Sequence, residues 1–139
     1  MPKYMFILKR TGESFEADHE VGFAEMLESM GRYNQRLIDA GALVGAEGLA
    51  PLAEGFVVDY GPASPVVTDG PFVETHELFD GFWIVDVADA AEAREWAVRI
   101  PVGRGSRVEV RRIHAIDDGP GGTDYQQAER DWRDRTGQL

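Results

Sequence analysis

Two stretches, Lys3 to Lys9 (KYMFILK) and Leu78 to Val87 (LFDGFWIVDV), constrain the fold more than any others. Each is a strand by composition and length, yet each carries apolar residues on both of its alternating sets. Successive side chains of a strand point to opposite faces of its sheet. Tyr4, Phe6 and Leu8 therefore oppose Met5 and Ile7, while Phe79, Trp83 and Val85 oppose Phe82 and Ile84. Leaving such side chains in water costs about 1.5–3 kcal/mol each. The sheet has to be covered on both faces.

The remaining periodicities supply cover for one face only. Phe23, Met26, Leu27, Met30 and Leu37 recur at helical spacing with Glu28 and Arg32 four apart on the outer surface, and Gly41 stands where a helix ends; this predicts a helix from Val21 to Ala40. Leu43 to Leu49 reads as a short second strand. Gly55 to Tyr60 and Ser64 to Thr68 read as a hairpin turned at Gly61-Pro62. Asp89 caps a second helix with Glu92 at the capping-box position, Ala93, Trp96, Ala97 and Ile100 form its inner stripe, and Pro101 ends it. Arg107 to Ile116 alternates Val108 and Val110 with Glu109 and Arg111, as a last strand does. Without the inserted hairpin the order is strand, helix, strand, strand, helix, strand, an α+β fold of the ferredoxin-like split βαβ type. Two helices cover one face of such a sheet. A second copy of the chain is the simplest cover for the other, with two sheets packed into a dimeric α+β barrel; a bound apolar ligand is the alternative.

The chain divides into residues 1–116, one α+β domain, and 117–139, a linker and short C-terminal helix. DDGPGG is the linker, and Thr123 to Arg135 is a polar helix whose large apolar residues, Tyr125 and Trp132, lie seven apart. That stripe suits weak docking on the body or on a partner chain.

Composition removes several classes of function. The 139 residues include no cysteine, which excludes disulfides, thiolate zinc sites and thiol nucleophiles and suits a reducing compartment. The formal charge is −11, and 19 of the 25 acidic residues precede Asp117, so the whole body is acidic. Phosphate backbones are repelled by such a surface; the one basic cluster, Arg104, Arg107, Arg111 and Arg112, is interrupted by Glu109 and resembles a solvated strand. Nowhere do about eighteen apolar residues run together, so the expectation is a cytoplasmic protein that binds neither nucleic acid nor membrane. No serine elbow, phosphate loop, dinucleotide fingerprint or HExxH occurs, and no cofactor is expected.

Chemistry concentrates around VVTDGPFVET, Val66 to Thr75. Asp69-Gly70 is a turn dipeptide, Gly70 can take backbone angles closed to other residues, and Pro71 fixes φ. Asp118-Gly119-Pro120 repeats the tripeptide in the linker, so turn formation alone explains it. The first copy differs in its company, since Asp69, Glu74, His76 and Glu77 lie within nine residues. Two readings stand: Asp69 caps its own turn while the others face water, or Asp69 and His76 form an acid/base pair, His76 being the most economical proton carrier with an ordinary pKa of about 6.5. A metal site lacks a second histidine at ligand spacing. Phe72 is either a plug into the core or, with Trp83, a wall of a pocket. Asn34 places an amide on the apolar stripe of the first helix, where it either meets a ligand or pins the helix to a backbone carbonyl. Glu47 is either neutralised by Arg111 or Arg112, bound to a ligand, or presented to solvent. His19 lies in an acidic loop and His114 near a strand end, neither with an evident partner.

Three blocks, MGRYNQRLIDAGALVGAEGL (Met30 to Leu49), VTDGPFVETHELFDGFW (Val67 to Trp83) and VEVRRI (Val108 to Ile113), resemble the YCII-related family in its DGPF-domain branch, in order and spacing, over residues 3–116. The resemblance implies a ferredoxin-like α+β fold and a homodimer, in a family largely without assigned reactions, some DGPF proteins being associated with alternative sigma factors. The broader group carries a His and an Asp in a cleft. The helix where that His is sought holds none here, only Met30 and Asn34 in the neighbourhood, so the dyad is not carried over. His76 stands where the branch commonly has Lys, and Ala50 where close relatives often have His; both changes argue against a fixed metal site. Two functions follow as expectations. The first is a small-molecule binding protein or enzyme with Asp69 and His76 as catalytic groups and Asn34, Glu47, Phe72 and Trp83 as ligand contacts. The second is a noncatalytic dimeric interaction module linked to sigma-factor regulation.

Overall fold

A computed structural model describes residues 1–11, 22–70 and 78–139. Among them are β1 (Lys3–Arg10), α1 (Phe23–Asp39), β2 (Leu43–Gly48), β3 (Phe56–Asp59), β4 (Val66–Asp69), β5 (Leu78–Asp86), α2 (Ala90–Ala97), β6 (Arg107–Arg112) and α3 (Asp124–Arg135). The four longer strands form one antiparallel sheet in the order β2-β5-β1-β6, and β3 pairs with β4 in a separate two-stranded sheet. The two most apolar strands occupy the centre, where a strand loses most contact with water. This α+β arrangement is compatible with a ferredoxin-like split βαβ fold.

The local chemistry sets the boundaries. At the end of α1 the Ala42 N–H bonds the Leu37 carbonyl and the Gly41 N–H bonds that of Ile38, both at 2.9 Å, with Gly41 at φ +69°. This paired pattern requires a left-handed residue after the last turn, which glycine adopts without a Cβ penalty. At α2 the Asp89 carboxylate accepts from the Glu92 N–H at 2.9 Å, and the Glu92 carboxylate reaches back to the Ala88 N–H at 2.6 Å. The body of α2 stops at Ala97, four residues before Pro101.

Both helices lie on one face of the sheet. Phe6, Leu37, Val85, Val87 and Ala93 have no exposure, and Leu8, Tyr33, Trp83 and Ile100 complete the core. The opposite face carries Met5, Ile7, Phe82 and Ile84, which neighbour one another by register and of which Ile7 is buried and the rest partly so.

Two expectations about faces need correction. Phe79 does not share the Trp83 face: the register of β5 against β1 slips between Leu8 and Lys9, leaving Asp80 as an extra residue. Such a bulge reverses the alternation. The Phe79 ring accordingly lies beside Phe82, with centroids 6.5 Å apart. The inner stripe of α1 also begins later than its spacing predicts. Met30, Tyr33 and Leu37 pack on the sheet, whereas Phe23 is 70% and Leu27 54% exposed because the first turns have no described residues packed over them.

The hairpin strands are joined by a loop from Tyr60 to Pro65 rather than a tight turn at Gly61-Pro62; the Asp59 carboxylate accepts from the Gly61 N–H at 2.8 Å. Helix α3 begins with a reciprocal cap, Thr123 Oγ1 accepting from the Gln126 N–H and Gln126 Oε1 from the Thr123 N–H, each at 3.1 Å. In the single chain its apolar pair stays exposed, Tyr125 at 89% and Trp132 at 47%. Polar ties hold the tail: Arg130 pairs with Asp117, and Lys3 Nζ donates to the Gln138 carbonyl.

Candidate functional site

Asp69 ends β4 with its side chain exposed, directly across from the exposed Phe56. Its carboxylate makes no hydrogen bond or ion pair among the described residues. The following Gly70 is fixed by crowding. Its N–H donates to the Gly55 carbonyl at 2.8 Å, and a Cβ would fall into the Leu52 carbonyl oxygen and lie 3.0 Å from that of Gly55. Gly70 is absent from the glycines with positive φ, so close approach, and not an unusual backbone angle, demands glycine here. Gly70 is thus clamped onto the short helical turn Leu52–Glu54, next to the exposed Asp69.

Phe72 and His76, which the sequence also assigns to the site, lie outside the described residues, as do Glu74, Glu77 and His19.

Asn34 and Trp83 are brought together, but to each other. Trp83 Nε1 donates to Asn34 Oδ1 at 2.8 Å, joining the middle of α1 to β5. Asn34 therefore pins its helix to an indole N–H, not to a backbone carbonyl. Trp83 is 6% exposed and sits in the core, its indole edge-on to Tyr33 at 5.9 Å and 89°. The Tyr33 hydroxyl in turn donates to the Trp96 carbonyl at 2.9 Å. Burial pushes the Tyr33 phenol well above its ordinary value, with the Arg99 charge pulling weakly the other way. Arg99 itself lies over the Trp96 ring, 5.4 Å from its centre. These contacts lock α1, β5 and α2 into one unit, with the Asn34 amide nitrogen as the polar group left over.

Glu47 falls on the other side of the sheet. It lies opposite Phe82 on the face without helices, and it is exposed. Neither Arg111 nor Arg112 neutralises it, because β5 and β1 stand between β2 and β6. Arg111 lies 4.0 Å from Glu109, which also bonds Lys9 at 2.8 Å, and Arg112 bonds Asp118 at 2.7 Å. The Lys9 hydrogen bond is the main cause that holds Glu109 below the usual carboxylate range. The sheet thus separates Glu47 from the Asn34–Trp83 pair.

The tail also holds a polar node that its composition does not announce. Asp118 Oδ2 receives Arg112 at 2.7 Å, the Ala115 N–H at 2.9 Å and lies 3.3 Å from His114 Nδ1. The Arg112 bond first, then the Ala115 N–H, hold this carboxyl down to about 2. The second DGP tripeptide, taken as a plain linker, is therefore anchored to β6. The four-residue spacing of His114 and Asp118 was the available signal. Among the described residues no three His or carboxylate groups gather in a way that could hold a metal ion, and no helix is long and apolar enough to cross a membrane.

A similar protein is an uncharacterized one from Rhizobium meliloti (strain 1021), 28% identical over 72 residues, which are 52% of this chain and 58% of the relative. The chain thus spans little more than half the length of that relative. The model of the YCII-related domain matches residues 3–117, from the first residue of β1 to just past β6. A match of that extent, over all four strands of the main sheet and the two helices packed on it, makes this chain a member of the YCII-related family.

Proposed function

We propose that the chain works as a homodimer that binds a small molecule beside the DGPF turn, with Asp69 as the principal polar contact and His76 as its partner in proton transfer. The observation that carries this reading is the Asp69 carboxylate: exposed, next to the backbone clamp at Gly70, and without a partner among the described residues. A free carboxylate beside an aromatic residue, here Phe56, pairs a polar group with an apolar wall, as small-molecule sites do. The dimer rests on Met5, Phe82 and Ile84, which stand on the helix-free face, and on Phe79 at its edge. Two sheets apposed through that face would form an α+β barrel and bring Glu47 toward the interface. Asn34 and Trp83 serve the site only by holding α1 against the sheet.

Screening a metabolite library against wild type, Asp69→Asn and His76→Ala tests the reading. Ligands that bind wild type and are lost in Asp69→Asn, with thermal stability kept, support it; equal binding by all three proteins rejects it. A second reading is favoured by the hairpin, where Phe56, Val57, Val66 and Val67 are all exposed. In that reading the protein is a noncatalytic interaction module, with sigma-factor regulation as its setting, and hairpin substitutions rather than Asp69→Asn abolish its activity in cells.

A further inference from the structure

Beyond the DGPF turn, the tail forms a cleft with the ends of β1 and β6. Its volume is about 640 Å³, within the range of about 300–1,000 Å³ typical of ligand sites. Its lining is unusual for a chain of formal charge −11: Lys3, Arg112, Arg130 and Arg133 contribute four cationic side chains, against Asp117 as the one carboxylic side chain. Between them lie apolar surfaces, including Ile113 and Ile116.

The charges are not all spent. Arg112 is committed to Asp118 and Arg130 to Asp117, and these pairs fix the wall of the cleft. Lys3 is different, because its partner is the neutral carbonyl of Gln138 and no carboxylate pairs with it among the described residues. Arg133 bonds Glu129 on its own helix at 2.7 Å, and a guanidinium has further donors to offer. A concave wall focuses the field of such groups. We propose that this cleft binds an amphipathic organic anion, a carboxylate or phosphate head held by Lys3 and Arg133 and an apolar body lying against Ile113 and Ile116. An anion here is attracted locally despite the charge of the whole chain, and the apolar floor distinguishes such a ligand from an inorganic ion.

Titrating the full chain with octanoate, octyl phosphate, octanamide and inorganic phosphate, followed by amide NMR shifts, tests this. Saturable shifts at Lys3, Ile113 and Arg133 are expected with octanoate or octyl phosphate, whichever head is preferred. Octanamide and inorganic phosphate should bind at least tenfold more weakly. Lys3→Gln should weaken the anion about tenfold, equivalent to about 1.4 kcal/mol. Because that change also touches the Gln138 tie, Arg133→Gln, which removes no contact between tail and body, should weaken it in the same direction with the α3 signals in place. Equal binding of octanamide, shifts centred elsewhere, no saturable shift, or wild-type affinity in Arg133→Gln would each overturn the proposal.

Discussion

Replacing Asn34 by alanine removes the acceptor that lies 2.8 Å from Trp83 Nε1. With Trp83 only 6% exposed, water has little access to the abandoned indole N–H. A buried donor left unpaired costs about 1–3 kcal/mol. Alanine recovers part of this through its better helix propensity, about 0.5 kcal/mol relative to asparagine, so the net loss should be about 1–2 kcal/mol. In a domain of this size that lowers Tm by about 5 °C. Asn34→Asp keeps an acceptor in place and should lose less. Trp83→Phe leaves a partly exposed amide able to find water, and its cost is the volume of the missing ring. A double-mutant cycle between Asn34→Ala and Trp83→Phe isolates the pair, with an expected coupling of about 1 kcal/mol. Urea unfolding followed by far-UV circular dichroism at one fixed protein concentration measures it, since the stability of the proposed dimer would depend on concentration. Coupling indistinguishable from zero, with Asn34→Ala as stable as wild type, would refute the lock and return Asn34 to the list of ligand contacts.

Gly70→Ala should detach the hairpin base from the Leu52–Glu54 turn, because the added Cβ meets backbone that cannot rotate aside. Overpacking of this kind costs about 1–3 kcal/mol, and the expected signature is faster hydrogen exchange at the position-70 amide than in wild type, with the main sheet unchanged. Asp118 gives a pH prediction. Its folded value, about 2, lies below the ordinary 3.8, so the tie is fully present above the ordinary value and is lost as pH falls toward the folded one. Protection of the α3 amides, taken relative to intrinsic exchange at each pH, should therefore fall between about pH 4 and pH 2, and Asp118→Asn should show the lowered protection already at neutral pH.

Much of the fold was legible because its strongest signals are local. The two central strands carry apolar side chains on both alternating sets, Asp89 and Glu92 mark the start of α2, and Gly41 marks the end of α1, each within a few residues. What was not legible depends on distant partners or on irregularity. The bulge at Asp80 moves Phe79 to the other face, and no composition encodes it. Asn34 finds its partner 49 positions away, so an amide on an apolar stripe left a ligand contact open beside the structural pin. Phe23 and Leu27 have the right spacing and lie exposed, since periodicity cannot distinguish a residue packed on its own sheet from one awaiting another surface. Of the candidate site, Asp69 stands out by its neighbours in sequence, while the clamp on Gly70 comes from Leu52 and Gly55. Asp118 was passed over because the same DGP letters looked like a linker.

The account turns on whether the helix-free face is covered by a second copy of the chain. Sedimentation equilibrium across the micromolar range measures this directly. The account predicts a mass twice the 15.4 kDa of one chain, falling to that of a single chain when Phe82→Glu places a charge on the face. Wild-type protein that sediments as a single chain throughout that range would contradict it.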